Sequence, residues 1–275
     1  MQTIPLYQID SFATEVFRGN PAAVCPLDAW LDDDRMQTLA AENNLSETAF
    51  VVPDETGAAD YGLRWFTPTA EVDLCGHATL ATAWVLFNER GHGGDTVNFA
   101  TKSGILAVTR GADGLLNMDF PQTKSMPAPH PDELARALGS PGPKSPALEY
   151  LRAKNDMRVA VLGDAQAVRA LKPDLHTVYA LGSHGLIVTA PGGGGDGDVD
   201  FVSRFFAPQL GISEDPVTGA AHTVLAPYWA KRLGKDTLKA RQVSKRGGDV
   251  GCRLVGERVE LSGRAVLYMK GEAVV

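Results

Sequence analysis

The stretch LRWFTPTAEVDLCGHATLATAWVLFNERG, residues 63–91, returns in altered form as FVSRFFAPQLGISEDPVTGAAHTVLAPYWAKRLG, residues 201–234. The shared positions keep their order while their spacing drifts: 140 residues separate Pro68 from Pro208, 143 separate Gly76 from Gly219, 144 separate Thr79 from Thr223, and 145 separate Trp84 from Trp229. Small loop insertions would explain the drift. Ordered matches of this kind predict an internal duplication.

The repeated stretch predicts the same order of secondary structure in both halves. An aromatic extended segment (63–66 or 201–206) enters a polar loop, and a glycine then opens a helix over 78–90 or 220–233. Each helix is nearly free of charge for about ten residues, and a helix that is apolar on all sides is normally buried. The simplest fold class is α+β, with a sheet or barrel wrapped around one buried central helix in each of two pseudo-symmetric halves.

The boundary between the halves is predicted after residue 120. Residues 1–120 form the N-terminal half-domain, which a C-terminal strand at 263–275 joins, and the C-terminal half-domain occupies 121–275. Four prolines between Pro121 and Pro131 mark the linker. Further helices are predicted at 35–42, 131–138 and 164–171.

Composition argues against several classes of function. The 275 residues are 44% hydrophobic and 21% charged, as in an ordinary globular protein, and the net charge of −7 argues against nucleic-acid binding. The longest uncharged apolar stretch, Ala78 to Phe87, is about half the length of a membrane span. Three widely spaced cysteines and an N-terminus unlike a signal peptide favour a cytoplasmic location without disulfides. The histidines lack the spacing of metal ligands, so no metal is expected.

The two helix starts carry the strongest functional pattern. Glycine and small residues lie at the positive end of each helix, where free backbone N–H groups attract anions. If the halves face each other, the two starts would hold a small carboxylate in a site between them. The alternative is that each glycine only allows close packing. Substrate binding is assigned to Ser46, Cys75, Gly76, Ala78, Thr218, Gly219 and Ala220.

Four nearby side chains have acid–base or nucleophilic chemistry. Glu47 precedes an apolar strand, where a partly desolvated carboxylate suits proton transfer, although an exposed loop glutamate is the alternative. Asp215 precedes a helix and could simply cap it. His77 lies in a first helical turn, where positive charge is disfavoured, so it is expected to be mostly neutral at pH 7. Cys75 is either an activated thiol or a small buried hydrophobe.

These residues belong to a set of motifs that covers nearly the whole chain in order. The set comprises FA at 12–13, GNPAAV at 19–24, NLSETAF at 44–50, RWFTP at 64–68, EVDLCGHATL at 71–80 and GISEDPVTG at 211–219. It resembles the PhzF-like family, named for the phenazine-biosynthesis isomerase, within the diaminopimelate-epimerase-like fold.

The resemblance implies a homodimeric isomerase with an active site between two α+β halves and no metal or organic cofactor. It implies that Glu47 transfers the proton, and that His77 and Asp215 line the pocket and steady the developing charge. The family usually has a serine where this chain has Ala220. The resemblance therefore does not imply that this chain takes a ring-hydroxylated anthranilate-type substrate.

Three other functions compete with a proton-moving isomerase of a small unsaturated carboxylate. A thiol-based amino-acid racemase or epimerase needs two cysteines, and the loop from Ser213 to His222 offers no partner for Cys75. A non-catalytic small-molecule-binding protein has only Ala220 in its support. A Cys–His hydrolase built on Cys75 and His77 is disfavoured, because residues two apart at a helix start are not expected to face each other.

Overall fold

The computed structural model describes residues 2–140, 142, 145–193, 195 and 197–275. The chain divides into two compact units. Unit 1 comprises Met1–Asp119 and Ser262–Val275, and unit 2 comprises Phe120–Leu261. The C-terminal segment therefore belongs to the same unit as the N-terminal strand.

Unit 1 is a sheet-rich α+β unit built around one long helix. Its elements are β1 (Thr3–Ser11), β2 (Asn20–Pro26), α1 (Asp33–Asn43), β3 (Glu47–Pro53), β4 (Tyr61–Phe66), β5 (Glu71–Val72), α2 (Gly76–Asn88), β6 (Thr96–Thr101), β7 (Gly104–Arg110), β8 (Leu116–Pro121) and β18 (Ala265–Val274). Strand β1 pairs antiparallel with β18 and β2, β2 pairs parallel with β3, and β3 pairs antiparallel with β4. Strand β4 then pairs parallel with β6, which forms a hairpin with β7.

Helix α2 is the centre of unit 1, packed against β1, β2 and β3. Ten of its thirteen residues are buried, because the helix has no charged residue to place in water. Leu80 is fully buried, and each such side chain contributes about 1.5–3 kcal/mol through removal from water. The predicted buried central helix is confirmed. In the described ranges no helix combines the length and apolarity that a membrane crossing requires.

Unit 2 repeats this plan with two extra short helices. Its elements are β9 (Ser125–Pro127), α3 (Leu134–Ala137), β10 (Glu149–Ala153), β11 (Met157–Val161), α4 (Ala165–Ala170), α5 (Leu175–Ala180), β12 (Gly185–Pro191), β13 (Phe201–Ala207), a 3₁₀ turn (Pro208–Leu210), β14 (Ile212–Asp215), α6 (Gly219–Leu233), β15 (Thr237–Gln242), β16 (Gly248–Val255) and β17 (Arg258–Gly263).

The strand pairing of unit 2 follows that of unit 1 step by step. Strands β10, β11, β12 and β13 pair antiparallel, parallel and antiparallel in turn, and β13 pairs parallel with β15, which pairs antiparallel with β16. The same sequence of pairings joins β1, β2, β3, β4, β6 and β7 in unit 1. The predicted α+β fold with an internal duplication is confirmed.

The central helices correct one detail of the repeat. Both are continuous from Gly76 and Gly219, which fixes their equivalence at 143 positions. No loop lies between these glycines and the later threonines and tryptophans, so loop insertions cannot explain the drift within the helices. Trp229 is 1% exposed whereas Trp84 is half-buried. The tryptophans are therefore not structural equivalents.

The shorter helices agree less well with the sequence patterns. The helix predicted at 131–138 is only the single turn α3, and the one at 35–42 extends to Asp33–Asn43. The helix predicted at 164–171 is α4, which the Asp164 carboxylate caps by accepting from the Ala167 N–H. Helix α5 was missed, although the Asp174 carboxylate caps it in the same way. Six residues are too few for hydrophobic periodicity to reveal a helix.

Candidate active site

Glu47 is the first residue of β3 and lies beside β2, in register with Ala22. Six of the seven residues of β3 are buried, and Glu47 itself is 9% exposed. Glutamate is almost never this buried without a partner, because removing a carboxylate from water is costly. The exposed-loop alternative is therefore wrong. A buried acid stands at the start of a core strand.

His77, the second residue of α2, faces Glu47. Its Nε2 lies 3.1 Å from Oε2 of Glu47, the distance of an ion pair. The angles do not meet those of a hydrogen bond, and within the described chain neither atom has another hydrogen-bond partner. A buried polar atom without a partner costs about 1–3 kcal/mol. Such atoms call for an explanation, and a ligand that completes a catalytic group is one of them.

Asn20 determines which nitrogen of the His77 ring carries the proton. Its amide Nδ2 lies 3.2 Å from Nδ1 of His77. An amide nitrogen can only donate, so in the neutral form of the ring Nδ1 accepts and the one ring proton lies on Nε2, toward Glu47. The Ser46 hydroxyl donates to Oδ1 of Asn20 at 3.4 Å and supports this orientation of the amide. The sequence analysis missed Asn20 as a site residue, although it lies in the GNPAAV motif.

Cys75 approaches the same ring from the side of Nδ1, with its Sγ 3.5 Å from that nitrogen. It is the N-cap of α2 and has an extended backbone, φ −143° and ψ 109°, so it does not follow helical geometry. The expectation that positions 75 and 77 do not face each other is wrong for this reason. Burial, together with the charge of Glu47, raises the pKa of Cys75 to about 11. A protonated buried thiol is not an activated nucleophile.

The charge of His77 also differs from the sequence prediction. Burial lowers the pKa of His77, but the neighbouring Cys75 and Glu47 outweigh burial and hold it well above the ordinary value. Since the Cys75 thiol is uncharged near neutral pH, the Glu47 carboxylate supplies the attraction there. The helix dipole, on which the prediction of a neutral ring rested, is weaker than a carboxylate at 3.1 Å. His77 therefore keeps its positive charge to a higher pH than an ordinary histidine.

The same three side chains also form a candidate metal-ligand set. The donor atoms of Glu47, Cys75 and His77 all lie within 4.8 Å of one another, and their chemistry would suit zinc. Their geometry does not. The imidazole lies between the other two groups, with sulfur beside Nδ1 and the carboxylate beside Nε2, and one ion can bind only one ring nitrogen. The arrangement is a chain of polar contacts rather than a chelate.

In unit 2, Asp215 ends β14 and is 6% exposed. Its Oδ2 accepts a short hydrogen bond of 2.5 Å from the hydroxyl of Thr218. Thr218, rather than Asp215, is the N-cap of α6. The fully buried Gln242 at the end of β15 contacts both residues and was not singled out from the sequence. A glutamine in a strand gives no local signal that its amide is buried.

The helix starts have the features expected of anion-binding sites. Gly76 and Gly219 are the first residues of α2 and α6, and neither N-cap side chain makes a capping hydrogen bond. The first backbone N–H groups of a helix have no acceptor within the helix itself. The other predicted binding residues lie in these first turns or directly before Glu47: Ala78, Ala220 and Ser46.

The duplicated α+β fold, in which each half wraps around a buried helix, is that of isomerases and epimerases with the diaminopimelate-epimerase-like fold. More particularly, the chain belongs to the family of phenazine biosynthesis-like proteins, which residues 9–271 match. The match extends from the end of β1 to β18. It therefore includes Glu47, His77 and Asp215 together.

Individual relatives agree with this assignment. The chain is 51% identical over 268 residues to an uncharacterized isomerase of Pseudomonas aeruginosa, with 98% of each chain covered. A solved PhzF-family protein of Enterococcus faecalis is 47% identical, with full coverage of both chains and a TM-score of 0.91. A hydroxyproline epimerase from Agrobacterium vitis shares the fold alone, at 10% identity and a TM-score of 0.63, with 98% of this chain and 92% of that chain covered. The chain is an isomerase with the diaminopimelate-epimerase-like fold.

Proposed function

We propose that this isomerase moves a proton on a small, unsaturated, carboxylate-bearing metabolite, with Glu47 as the proton-transfer residue and without a metal or organic cofactor. The observation that carries the proposal is the buried approach of Glu47 Oε2 to His77 Nε2 at 3.1 Å, where neither atom has a hydrogen-bond partner within the described chain. A carboxylate in this setting can take a proton from carbon and keep it away from water.

In the proposed reaction a C–H bond beside the unsaturated system breaks and its proton forms an O–H bond on Glu47. The electron pair left on carbon enters the conjugated system. The Nε2–H of His77 steadies the negative charge on Glu47 before the transfer and on the substrate after it. Glu47 then returns the proton to a different carbon. Atoms and electrons balance within one substrate, so the reaction needs no oxidant, reductant or co-reactant.

The carboxylate of the substrate fits the start of α2. The first N–H groups of the helix, which have no acceptor within the helix itself, and the positive end of the helix dipole favour an anion there. The family resemblance assigns Asp215, Thr218, Gly219 and Ala220 to the same active site, and this assignment stays a prediction. Ala220 lacks the hydroxyl that is usual in the family, so the substrate need not have a group for that hydroxyl to bind.

The assembly and the location of the protein also belong to the proposal. A homodimer follows from the resemblance alone. A cytoplasmic location fits the state of the cysteines, since Cys25, Cys75 and Cys252 are all buried and unpaired by disulfides.

Deuterium incorporation tests the proposed chemistry. The protein is incubated in D2O with a panel of α,β- and β,γ-unsaturated carboxylic acids and cyclic dienoic acids, and each compound is analysed by mass spectrometry and proton NMR. We expect at least one compound to exchange, and Glu47→Gln to abolish the exchange. Glu42→Gln, an exposed glutamate on α1, is the matched control.

A thiol mechanism gives the opposite pattern. Amino acids such as proline are included in the panel because a racemase would exchange their α-proton. If Glu47→Gln exchanges like the parent while Cys75→Ser does not, the assignment of Glu47 is wrong. A compound that raises the melting temperature without exchanging deuterium would favour a binding protein instead. The raised pKa of Cys75, about 11, supports the glutamate mechanism.

A further inference from the structure

We infer that Gln242 is a positioning residue: its amide forces the Thr218 hydroxyl to donate its proton to Asp215, and so keeps Asp215 a hydrogen-bond-accepting carboxylate rather than an acid. The importance of Asp215 for catalysis rests on the proposed function. The hydrogen bonds of Gln242 do not depend on the proposed function, because they join residues of unit 2 whatever reaction the protein catalyses.

The orientation of the Gln242 amide follows from a backbone donor. The N–H of Thr218 donates to Oε1 of Gln242 at 2.9 Å. A backbone N–H has no acceptor role, so the oxygen of the amide must face it. The amide nitrogen Nε2 consequently points the other way, where it donates to the carbonyl oxygen of Asp215 at 2.7 Å. Gln242 is fully buried, so water does not compete for these bonds.

The direction of the next hydrogen bond follows from the first two. Nε2 of Gln242 also lies 3.2 Å from the Thr218 hydroxyl oxygen. Since the amide nitrogen can only donate, the hydroxyl accepts from it and has its own proton free for another partner. That partner is Oδ2 of Asp215, 2.5 Å away. Asp215 therefore receives a proton donor at this oxygen, which favours the ionised carboxylate.

The backbone around this relay is held in place by two further side chains, the buried His222 and the half-buried Ser244. The ring of His222 donates from Nδ1 to the carbonyl oxygen of Thr218 at 2.7 Å. The hydroxyl of Ser244 donates to the carbonyl oxygen of Pro216 at 2.8 Å. The carbonyls of Asp215, Pro216 and Thr218 thus each have a partner, and the Thr218 hydroxyl stays at its short distance from Asp215.

An ionised Asp215 also restricts the substrate. A carboxylate has only acceptor oxygens, so the substrate group that contacts it must be a donor, such as a hydroxyl or an amino group. A second substrate carboxylate at this position would be repelled.

The test compares two substitutions of Gln242 by carbon-13 NMR. The protein is labelled with aspartate enriched at the side-chain carboxyl carbon, and the Asp215 resonance is assigned from its loss in Asp215→Asn. In the parent at neutral pH we expect the chemical shift of an ionised carboxylate. Gln242→Glu offers the Thr218 hydroxyl an acceptor and places a second carboxylate near Asp215, and both changes move the Asp215 resonance toward the protonated position, so the Thr218 variants below isolate the part played by the hydroxyl. Gln242→Met removes the amide, so the hydroxyl proton is no longer directed to Asp215 and the resonance moves part of the way toward the protonated position.

Thr218 provides an independent pair of variants if Gln242→Glu fails to fold. Thr218→Val should move the Asp215 resonance as Gln242→Glu does, and Thr218→Ser should leave it at the parent position. Gln122→Glu is the matched control, because the amide of the half-buried Gln122 also donates to backbone carbonyls, those of Gly256 and Arg258. Circular dichroism and melting temperature establish which variants fold.

If Gln242 only holds the backbone in place, the variants should affect the Asp215 resonance differently. If Gln242→Met leaves the Asp215 resonance at its parent position, or if Thr218→Val leaves it unchanged, the relay is refuted. On a compound that exchanges deuterium, Gln242→Glu should lower kcat about tenfold or more, the loss of one charge-assisted hydrogen bond, and Gln242→Met less than about threefold. If no compound exchanges, the proposed function fails, and the NMR experiment still decides the role of Gln242.

Discussion

His77 and His222 are both buried and lie in the first turns of the two central helices. Their pKa values shift in opposite directions. The pKa of His77 is held well above its ordinary value beside Cys75 and Glu47, against the effect of burial. The pKa of His222 falls to about 4, because burial removes the ring from water and its partner is the neutral carbonyl of Thr218. Equivalent helices thus carry histidines of opposite character.

The difference shows what turns a buried helix start into a reactive one. A neutral carbonyl satisfies one ring nitrogen and leaves the histidine uncharged. The Glu47 carboxylate, 3.1 Å from the ring, outweighs the effect of burial on the pKa of His77 and favours the protonated ring. In the proposed function, unit 1 supplies Glu47 as the group that moves the proton. Unit 2 supplies Asp215. The Thr218 hydroxyl donates to the carboxylate of Asp215, and the Gln242 amide donates to its backbone carbonyl oxygen.

The largest expected effect is on catalysis. His77→Gln removes the partner of Glu47 and should lower the rate of deuterium exchange about 10²- to 10⁴-fold, the usual contribution of an acid–base group. His222→Gln should lower it less than about tenfold, since His222 reaches the site only through the carbonyl of Thr218. Exchange rates of both folded variants, measured by mass spectrometry, check this. Equal losses would mean that the two histidines do not differ in function.

The next effect is on stability and sharpens the comparison of the two helices. Trp229 is 1% exposed, stacks on Phe201 at 5.8 Å and donates from Nε1 to the Thr189 hydroxyl. Trp229→Ala should lower the free energy of unfolding by about 3–5 kcal/mol. Trp84→Ala, at the half-buried tryptophan of α2, should cost clearly less. Urea unfolding followed by circular dichroism measures both. Equal losses in the free energy of unfolding would contradict the conclusion that the two tryptophans differ in structural role.

The pH dependence of stability separates the two histidines by sign. The folded pKa of His222, about 4, lies below its ordinary 6.5, so the unfolded chain binds the proton more readily. Its stabilising contribution is present above pH 6.5 and is lost as the pH falls toward 4, up to about 3 kcal/mol. The free-energy difference between the parent and His222→Gln should therefore shrink at low pH.

His77 should behave in the opposite way in the same experiment. Its folded pKa is raised, so its stabilising contribution is fully present at low pH and is lost as the pH rises through that pKa. The difference between the parent and His77→Gln should shrink at high pH. Urea midpoints from about pH 5 to about pH 8 measure both trends, and two differences with the same sign of slope would contradict the comparison.

The smallest expected effect concerns Asn20. Asn20→Ala removes the amide that sets the proton of His77 on Nε2 and should lower the exchange rate about tenfold, one hydrogen bond's worth. In the neutral His77 ring, nitrogen-15 shifts should show that part of the proton population moves from Nε2 to Nδ1. Asn43→Ala, whose amide donates to the Thr48 hydroxyl in the same unit, is the control. A parent-like ring spectrum for Asn20→Ala would show that Cys75, not Asn20, sets the tautomer.

Much of this molecule could be predicted from sequence because the relevant signals are local. An uncharged run after Gly76 and again after Gly219 indicates a buried helix, whatever surrounds it. The motif around Glu47 places an acid directly before an apolar strand. The single-turn α3 and the missed α5 show the limit, since four or six residues carry too little periodicity to reveal a helix.

The sequence by itself determined the duplicated α+β fold, the two glycine-led helix starts and the identity of Glu47, His77 and Asp215 as candidates. Only the tertiary structure decided the state of those groups. The approach of Glu47 to His77 across 30 residues, the amide of Asn20 on the far ring nitrogen and the amide of Gln242 under Asp215 are long-range contacts. Protonation depends on distance to charge and water, and these distances exist only once the strands and helices have packed.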